Sequence, residues 1–257
     1  MSLQYNNDYS LQEKDNVIEL LAKLRVDFVK EIYESIGYGL GRTNNIMNYK
    51  NYLINNPEMF GNQVGLDTGS FENYTGGVIS LDELMKIYPR AKREYAGAAL
   101  AALDKYGSIV GLSDKGKLMV LAQFAHESGN FIYIAELGKG KGRKYGNPTG
   151  PYNKIYYGRG PIQITWEANY KTITQNIFPK MGINADIWAD PDLCEQNLLI
   201  GCAASLAWFL LPGNGKRAIS CANAGDVLGL TKAINGGTNG LEDRKKNTEK
   251  IFAAVKK

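Results

Sequence analysis

Residues Tyr156 to Tyr170 read YYGRGPIQITWEANY, and the reading of this stretch decides the rest of the chain. Two glycines flank one arginine and a proline follows at once, so Gly158 and Gly160 are expected to serve tight backbone turns. Arg159, between them, either braces the loop or reaches a ligand. Tyr156, Tyr157 and Trp166 read as core aromatics or as the wall of a site. Gln163 and Asn169 read as amides that satisfy loop backbone groups or as ligand contacts. Helix is expected to resume near Glu167.

The stretch closes a segment, residues 132–165, that is rich in glycine, tyrosine and proline and reads as loops with short extended pieces. The signals on either side are helical. Ser80-Leu81-Asp82-Glu83 has the spacing of a capping box, in which serine and glutamate satisfy orphan amides at a helix start, and helix is predicted to about Ile87. Arg93 to Lys105 is alanine-rich and closed by Gly107. Ser113 caps a predicted helix that runs through LMVLAQFAHES to Gly129. Further helices are predicted at Asp192 to Leu211, around Val227 to Ile234, and at Leu241 to Val255. Within them LLIGCAASLAWFLL, Leu198 to Leu211, is about 14 residues long against the ~20 a bilayer requires, so it reads as a buried core helix and no membrane span is expected. The fold class is mainly α.

Ahead of this region, Val17 to Ile36 carries the apolar stripe of an amphipathic helix, and a short helix is expected at Asn45 to Ile54. Gly61 to Gly77 lacks periodicity and is dense in turn residues, which makes it the linker candidate. The division read from these signals is 1–77, a small helical segment with a linker, and 78–257, the main domain. Charge divides in the same place. Residues 1–78 carry 6 Lys/Arg against 10 Asp/Glu, and the remainder carries 24 against 16, giving −4 and +8. An excess of that size favours polyanionic partners, or serves solubility alone. The N-terminus has no basic stretch followed by an apolar one, so no secretory signal is read, and retention in a cytoplasm until something else releases the protein is expected.

Ala125 to Glu136 reads AHESGNFIYIAE and holds two glutamates nine residues apart. Glu127 falls in the last turn of its predicted helix, where outward-pointing carbonyls disfavour negative charge, as would burial among Phe124, Phe131 and Tyr133. Glu136 is followed by the cations Lys139, Lys141, Arg143 and Lys144, which favour its charged form. Two carboxyl groups in contrasting environments are the requirement of glycoside hydrolysis by an acid and a base. The one histidine, His126, excludes histidine-cluster zinc chemistry and leaves no metal site to propose; a structural hydrogen bond is its expected role. GKGKGRK, from Gly138, lacks the phosphate-loop pattern. Cys194, Cys202 and Cys221 have no CxxC spacing and read as reduced core residues.

YYGRGPIQITW closely resembles the YYGRGPIQLSW motif of family 19 glycoside hydrolases, the chitinases of plants and bacteria and related phage endolysins. HES before Gly129 resembles the motif around that family's acid, and INGGTNGLEDR, Ile234 to Arg244, resembles the C-terminal motif of its endolysin branch. The resemblance implies a lysozyme-like, mainly α-helical domain with a cleft, over about residues 79–257. It also implies a single-displacement mechanism that inverts the anomeric centre without a cofactor. Carried onto this sequence, Glu127 is the acid, Glu136 the base, and Thr165 the hydroxyl that helps hold the attacking water. Gln163, Asn169, Asn235 and Tyr157 contact sugar. Arg244 is the arginine that orients the acid.

The expected partner is a β-1,4 glycan polymer rather than nucleic acid. The +8 charge and the absence of a read signal lean toward bacterial peptidoglycan cut by an endolysin or virion-associated lysin. A chitinase acting on β-1,4-linked N-acetylglucosamine is the alternative. A non-catalytic glycan-binding or virion structural protein is a third reading, and residues 1–77 are candidates for wall or virion attachment.

Overall fold

The computed structural model describes residues 70–255, which fall within one unit of the chain, Gly65–Lys257. The predicted helices at Val17 to Ile36 and Asn45 to Ile54, and Gly61 to Gly69 of the expected linker, lie outside the described residues. The last part of that linker is not a loose connection. Ser70 caps a 3-10 turn, Phe71–Asn73, whose Phe71 is buried, and the Tyr74 hydroxyl donates to Asp104 at 2.7 Å. Residues 70–74 therefore pack with the helical unit and not ahead of it.

The helices begin where the capping chemistry puts them. α1, Leu81–Ile87, starts at Ser80, whose Oγ accepts from Glu83 N at 3.2 Å and donates to the Glu83 carboxylate at 3.1 Å. α2, Arg93–Tyr106, ends at Gly107. α3, Asp114–Glu127, starts at Ser113, whose hydroxyl accepts from Gly116 N. After a long loop come α4, Glu167–Thr172, a wider π turn at Ile173–Ile177 and a 3-10 turn at Phe178–Met181. The helix expected over Asp192 to Leu211 is split. Asn197 adopts extended backbone and its side chain accepts from Ile200 N at 3.0 Å, ending α5, Leu193–Gln196, and starting α6, Leu198–Ala207. α7, Gly215–Ala224, was not anticipated; α8 is Val227–Asn235 and α9 Leu241–Val255.

Packing of these elements follows from their composition. The alanines of α2 let it lie close against α6, all of which is buried from Leu199 to Ala207. Each buried leucine in such a core contributes about 2 kcal/mol. No single helix among the described residues is long and apolar enough to cross a membrane. α3 is buried from Gly116 to Ala125 between α9 and α7, so only its ends, Asp114 and Lys115 at the start and His126 and Glu127 at the finish, reach the surface.

Residues 128–166 form no strand. Isolated antiparallel bridges join Ala135 to Arg159, Arg159 to Ile164 and Thr149 to Lys154. The loop is seated on α6 at Gly160, where φ is +75° and a Cβ would stand 2.4 Å from the Gly201 carbonyl oxygen. Only glycine accepts both that backbone and that approach. Two residues on, Ile162 N donates to Ser205 Oγ at 3.1 Å.

Candidate active site

Glu127 ends α3, and the chain then turns sharply through Gly129, Asn130 and Phe131, all with φ near +60°. Two consecutive non-glycine residues in this region are strained, and packing must hold them there. Phe131 supplies the hold: it is fully buried, edge-on to Tyr88 and Tyr95, while Ser128 Oγ accepts from Phe131 N at 2.9 Å. The turn carries the chain from Glu127 to Glu136.

Arg244, on the first turn of α9 and 2% exposed, reaches Glu127 from beneath. Its Nη2 donates to Glu127 Oε1 at 2.6 Å, Nη1 donates to Gln123 Oε1, and Nε donates to the Asn239 carbonyl. One residue along each helix, His126 Nδ1 stands 2.6 Å from Asp243 Oδ2, which also accepts from Asn247. A Cβ on Gly240, at φ +70°, would meet the His126 ring at 2.2 Å. The arginine that the resemblance implies as orienting the acid is thus in direct contact with Glu127.

Glu136 is held by different groups. The Tyr145 hydroxyl donates to Oε1 at 3.0 Å and Gly158 N to Oε2 at 3.3 Å, while Glu136 N donates to Gly158 O at 2.8 Å. Burial first, then the bond to Glu136, pushes the Tyr145 hydroxyl up, so it remains a donor across neutral pH. The Tyr145 ring stands edge-on to Trp166, centroids 5.2 Å apart, and Trp166 is 50% exposed with φ +75°. Neither Tyr145 nor the Gly158 amide carried a sequence signal for this role.

The remaining candidates divide into those left open to a ligand and those used as struts. Thr165 Oγ1 donates to Gln163 O at 2.8 Å, Gln163 Nε2 to Gly160 O, and Asn169 Nδ2 to Thr165 O. These amides brace the loop through nitrogen, as one of the two sequence readings expects, and their side-chain oxygens have no hydrogen-bond partner among the described residues. Asn235 is spent in its own loop, accepting from Gly237 N and donating to Asn239 O. Tyr157 is a correction: it is 4% exposed and its hydroxyl donates to Glu195, so it belongs to a buried brace instead of a sugar-contacting wall.

Arg159 organises that brace and settles its own two readings. At 2% exposure it contacts Asp192 at 2.6 Å, Glu195 at 2.9 Å and the Tyr170 hydroxyl, with its guanidinium 3.5 Å from the centre of the Tyr157 ring. A planar, five-donor cation is suited to such a set of partners. His126 is the structural residue expected. Among the described residues no His/Cys/Asp/Glu group could hold a metal ion.

The sequence family described as Chitinase class I matches residues 125–228, which include Glu127, Glu136, Gln163, Thr165 and Asn169. Residues 125–228 are thus similar to the family 19 glycoside hydrolases. An endochitinase of Arabidopsis thaliana is 45% identical over 117 residues, 44% of this chain and 38% of its own length. A second endochitinase of that plant is 32% identical over 145 residues, 54% of this chain and 46% of its own length. Chitinase C from Streptomyces griseus superposes with a TM-score of 0.52 at 26% identity, over 70% of this chain and 78% of that one. The chain thus spans less than half the length of these curated relatives. The family expected from the GRGPIQIT region and the mainly helical fold are both found; these relatives are named as chitinases, which supports the chitin alternative over the endolysin reading.

Proposed function

We propose that this family 19 domain is a glycoside hydrolase that cleaves β-1,4-linked N-acetylglucosamine polymers such as chitin, with Glu127 as general acid and Glu136 as general base. The observation that carries the reading is the contrast in how the two carboxylates are held. Glu127 ends a buried helix against Arg244, and Glu136 sits across the turn with a phenol and a backbone amide as donors. In the proposed step Glu127 gives its proton to the glycosidic oxygen as the C1–O bond breaks. Glu136 takes a proton from the water that attacks C1 from the opposite face, so the anomeric centre inverts. Thr165, whose hydroxyl donates to Gln163 O, has an oxygen lone pair left to accept from that water.

Colloidal chitin and bacterial sacculi, each incubated with the protein, supply the test through the identity of the released ends. Chitin oligosaccharides whose new reducing ends appear first as the α-anomer support the proposal; failure to release sugar from either polymer overturns it. Release from sacculi alone would select a second reading, peptidoglycan, which one observation favours: the +8 charge of residues 79–257. Chitin carries no charge for such an excess to recognise.

A further inference from the structure

We propose that the loop from Gly138 to Tyr145, GKGKGRKY, is a specificity element that recognises carboxylates borne on the glycan, such as those of peptidoglycan stem peptides. The inference rests on the glycosidase reading of the adjoining site. Lys139, Lys141, Arg143 and Lys144 are all exposed. Lys139 is partly committed, 3.6 Å from Glu195, whereas Lys141, Arg143 and Lys144 have no acidic partner among the described residues. Three unneutralised cations within four residues repel one another, and an external anion relieves that repulsion.

The loop is folded, not a free tail. Lys141 N donates to Gly138 O, Arg143 N to Gly140 O and Gly146 N to Arg143 O, each at 2.9–3.0 Å. Gly140 is buried against Gly146, so the hairpin closes on its glycines and turns its long cationic side chains outward. Its position ties it to the chemistry. Tyr145, the last residue, donates to Glu136, and the Arg143 charge acts on that same hydroxyl. Trp166 adds a half-exposed ring face edge-on to Tyr145. A sugar placed at Glu136 would thus lie beside the loop that carries Arg143. The acids near this face, Glu136 and Glu195, already have donors, Tyr145 and Gly158 for one and Arg159 and Tyr157 for the other. They leave the loop's own charge largely uncompensated.

The test is binding of the full chain to sacculi stripped of phosphate polymers, and to chitin, at about 25 and about 500 mM NaCl. The wild type is compared with combined Lys141→Gln, Arg143→Gln and Lys144→Gln. The expected result is a roughly tenfold loss of affinity of the variant for stripped sacculi at low salt, a gap that closes at high salt, where exposed charges are screened. Chitin affinity should stay within about twofold, and Lys141→Arg with Lys144→Arg should bind like wild type. Equal affinity of variant and wild type for stripped sacculi overturns the proposal, as does equal loss on both polymers. Loss of sacculus binding by the wild type itself on stripping also overturns it, since the anion would then be phosphate. Binding is read without turnover, so failure of the glycosidase reading shows separately, as absence of released sugar.

Discussion

Arg244 and Glu127, 117 residues apart in sequence, meet at 2.6 Å where the first turn of α9 crosses the last turn of α3. The guanidinium is 2% exposed and shared with Gln123, so the pair fixes the carboxyl group at the helix end from its buried side. Removing one member of such a pair strands the other without a partner. Arg244→Met should lower stability by about 3 kcal/mol, read by urea denaturation, and should lower kcat more than it raises KM. A variant with wild-type kcat would mean the acid is positioned by something else.

Arg159 predicts the opposite balance between stability and contact with sugar. Its partners are Asp192 and Glu195 at α5, Tyr170 of α4 and the Tyr157 ring, so it ties the loop to two helices. Arg159→Met should destabilise by about 3 kcal/mol because two carboxylates lose their counter-ion, and activity should fall in step with the folded fraction. Full stability of this variant, measured by thermal unfolding, would contradict the bracing role.

Tyr145→Phe deletes one hydroxyl that donates to Glu136 and leaves the ring that contacts Trp166. One hydrogen bond of about 1.4 kcal/mol corresponds to tenfold, so kcat should fall about tenfold with KM within about twofold. An unchanged kcat would remove Tyr145 from the positioning of the base.

The cysteines give a prediction independent of catalysis. Burial pushes the Cys194 thiol up to about 12 and Cys202 further in the same direction, while Cys221 is only half-buried. Both buried thiols are therefore protonated at neutral pH and inaccessible, and only thiolate reacts. A thiol reagent at pH 8 should label Cys221 alone in the native protein and all three cysteines in denaturant. Native labelling of Cys194 or Cys202 would contradict the packing of α5 and α6.

Local chemistry was legible in the sequence, and long-range pairing was not. Ser80 and Ser113 announce α1 and α3 through their own side chains, and the α3 assignment alone puts Glu127 on a final turn. α7 was missed because Pro212, Gly213, Asn214 and Gly215 are turn-forming residues at its start, and Asn214 makes no side-chain cap there. The break at Asn197 was hidden inside an unbroken apolar pattern, and only its cap to Ile200 reveals it. Within the site, Glu127, Glu136 and Thr165 came from motif order. Tyr157 was misassigned, and Arg159 left undecided, because Asp192 and Glu195 lie more than 30 residues downstream. Tyr145 went unnoticed because no spacing rule relates a loop tyrosine to a glutamate nine residues before it.

The measurement that bears most directly on the central claim is hydrolysis of a chitin oligosaccharide by Glu127→Gln, which keeps the side chain's shape and its reach to Arg244 but cannot supply the proton. The account predicts a folded protein with a lowered thermal midpoint, since buried Arg244 keeps a hydrogen-bond acceptor but loses its counter-ion, and a loss of kcat of about a thousandfold, the scale of a general-acid contribution. A folded Glu127→Gln protein that cuts the oligosaccharide at the wild-type rate would contradict it.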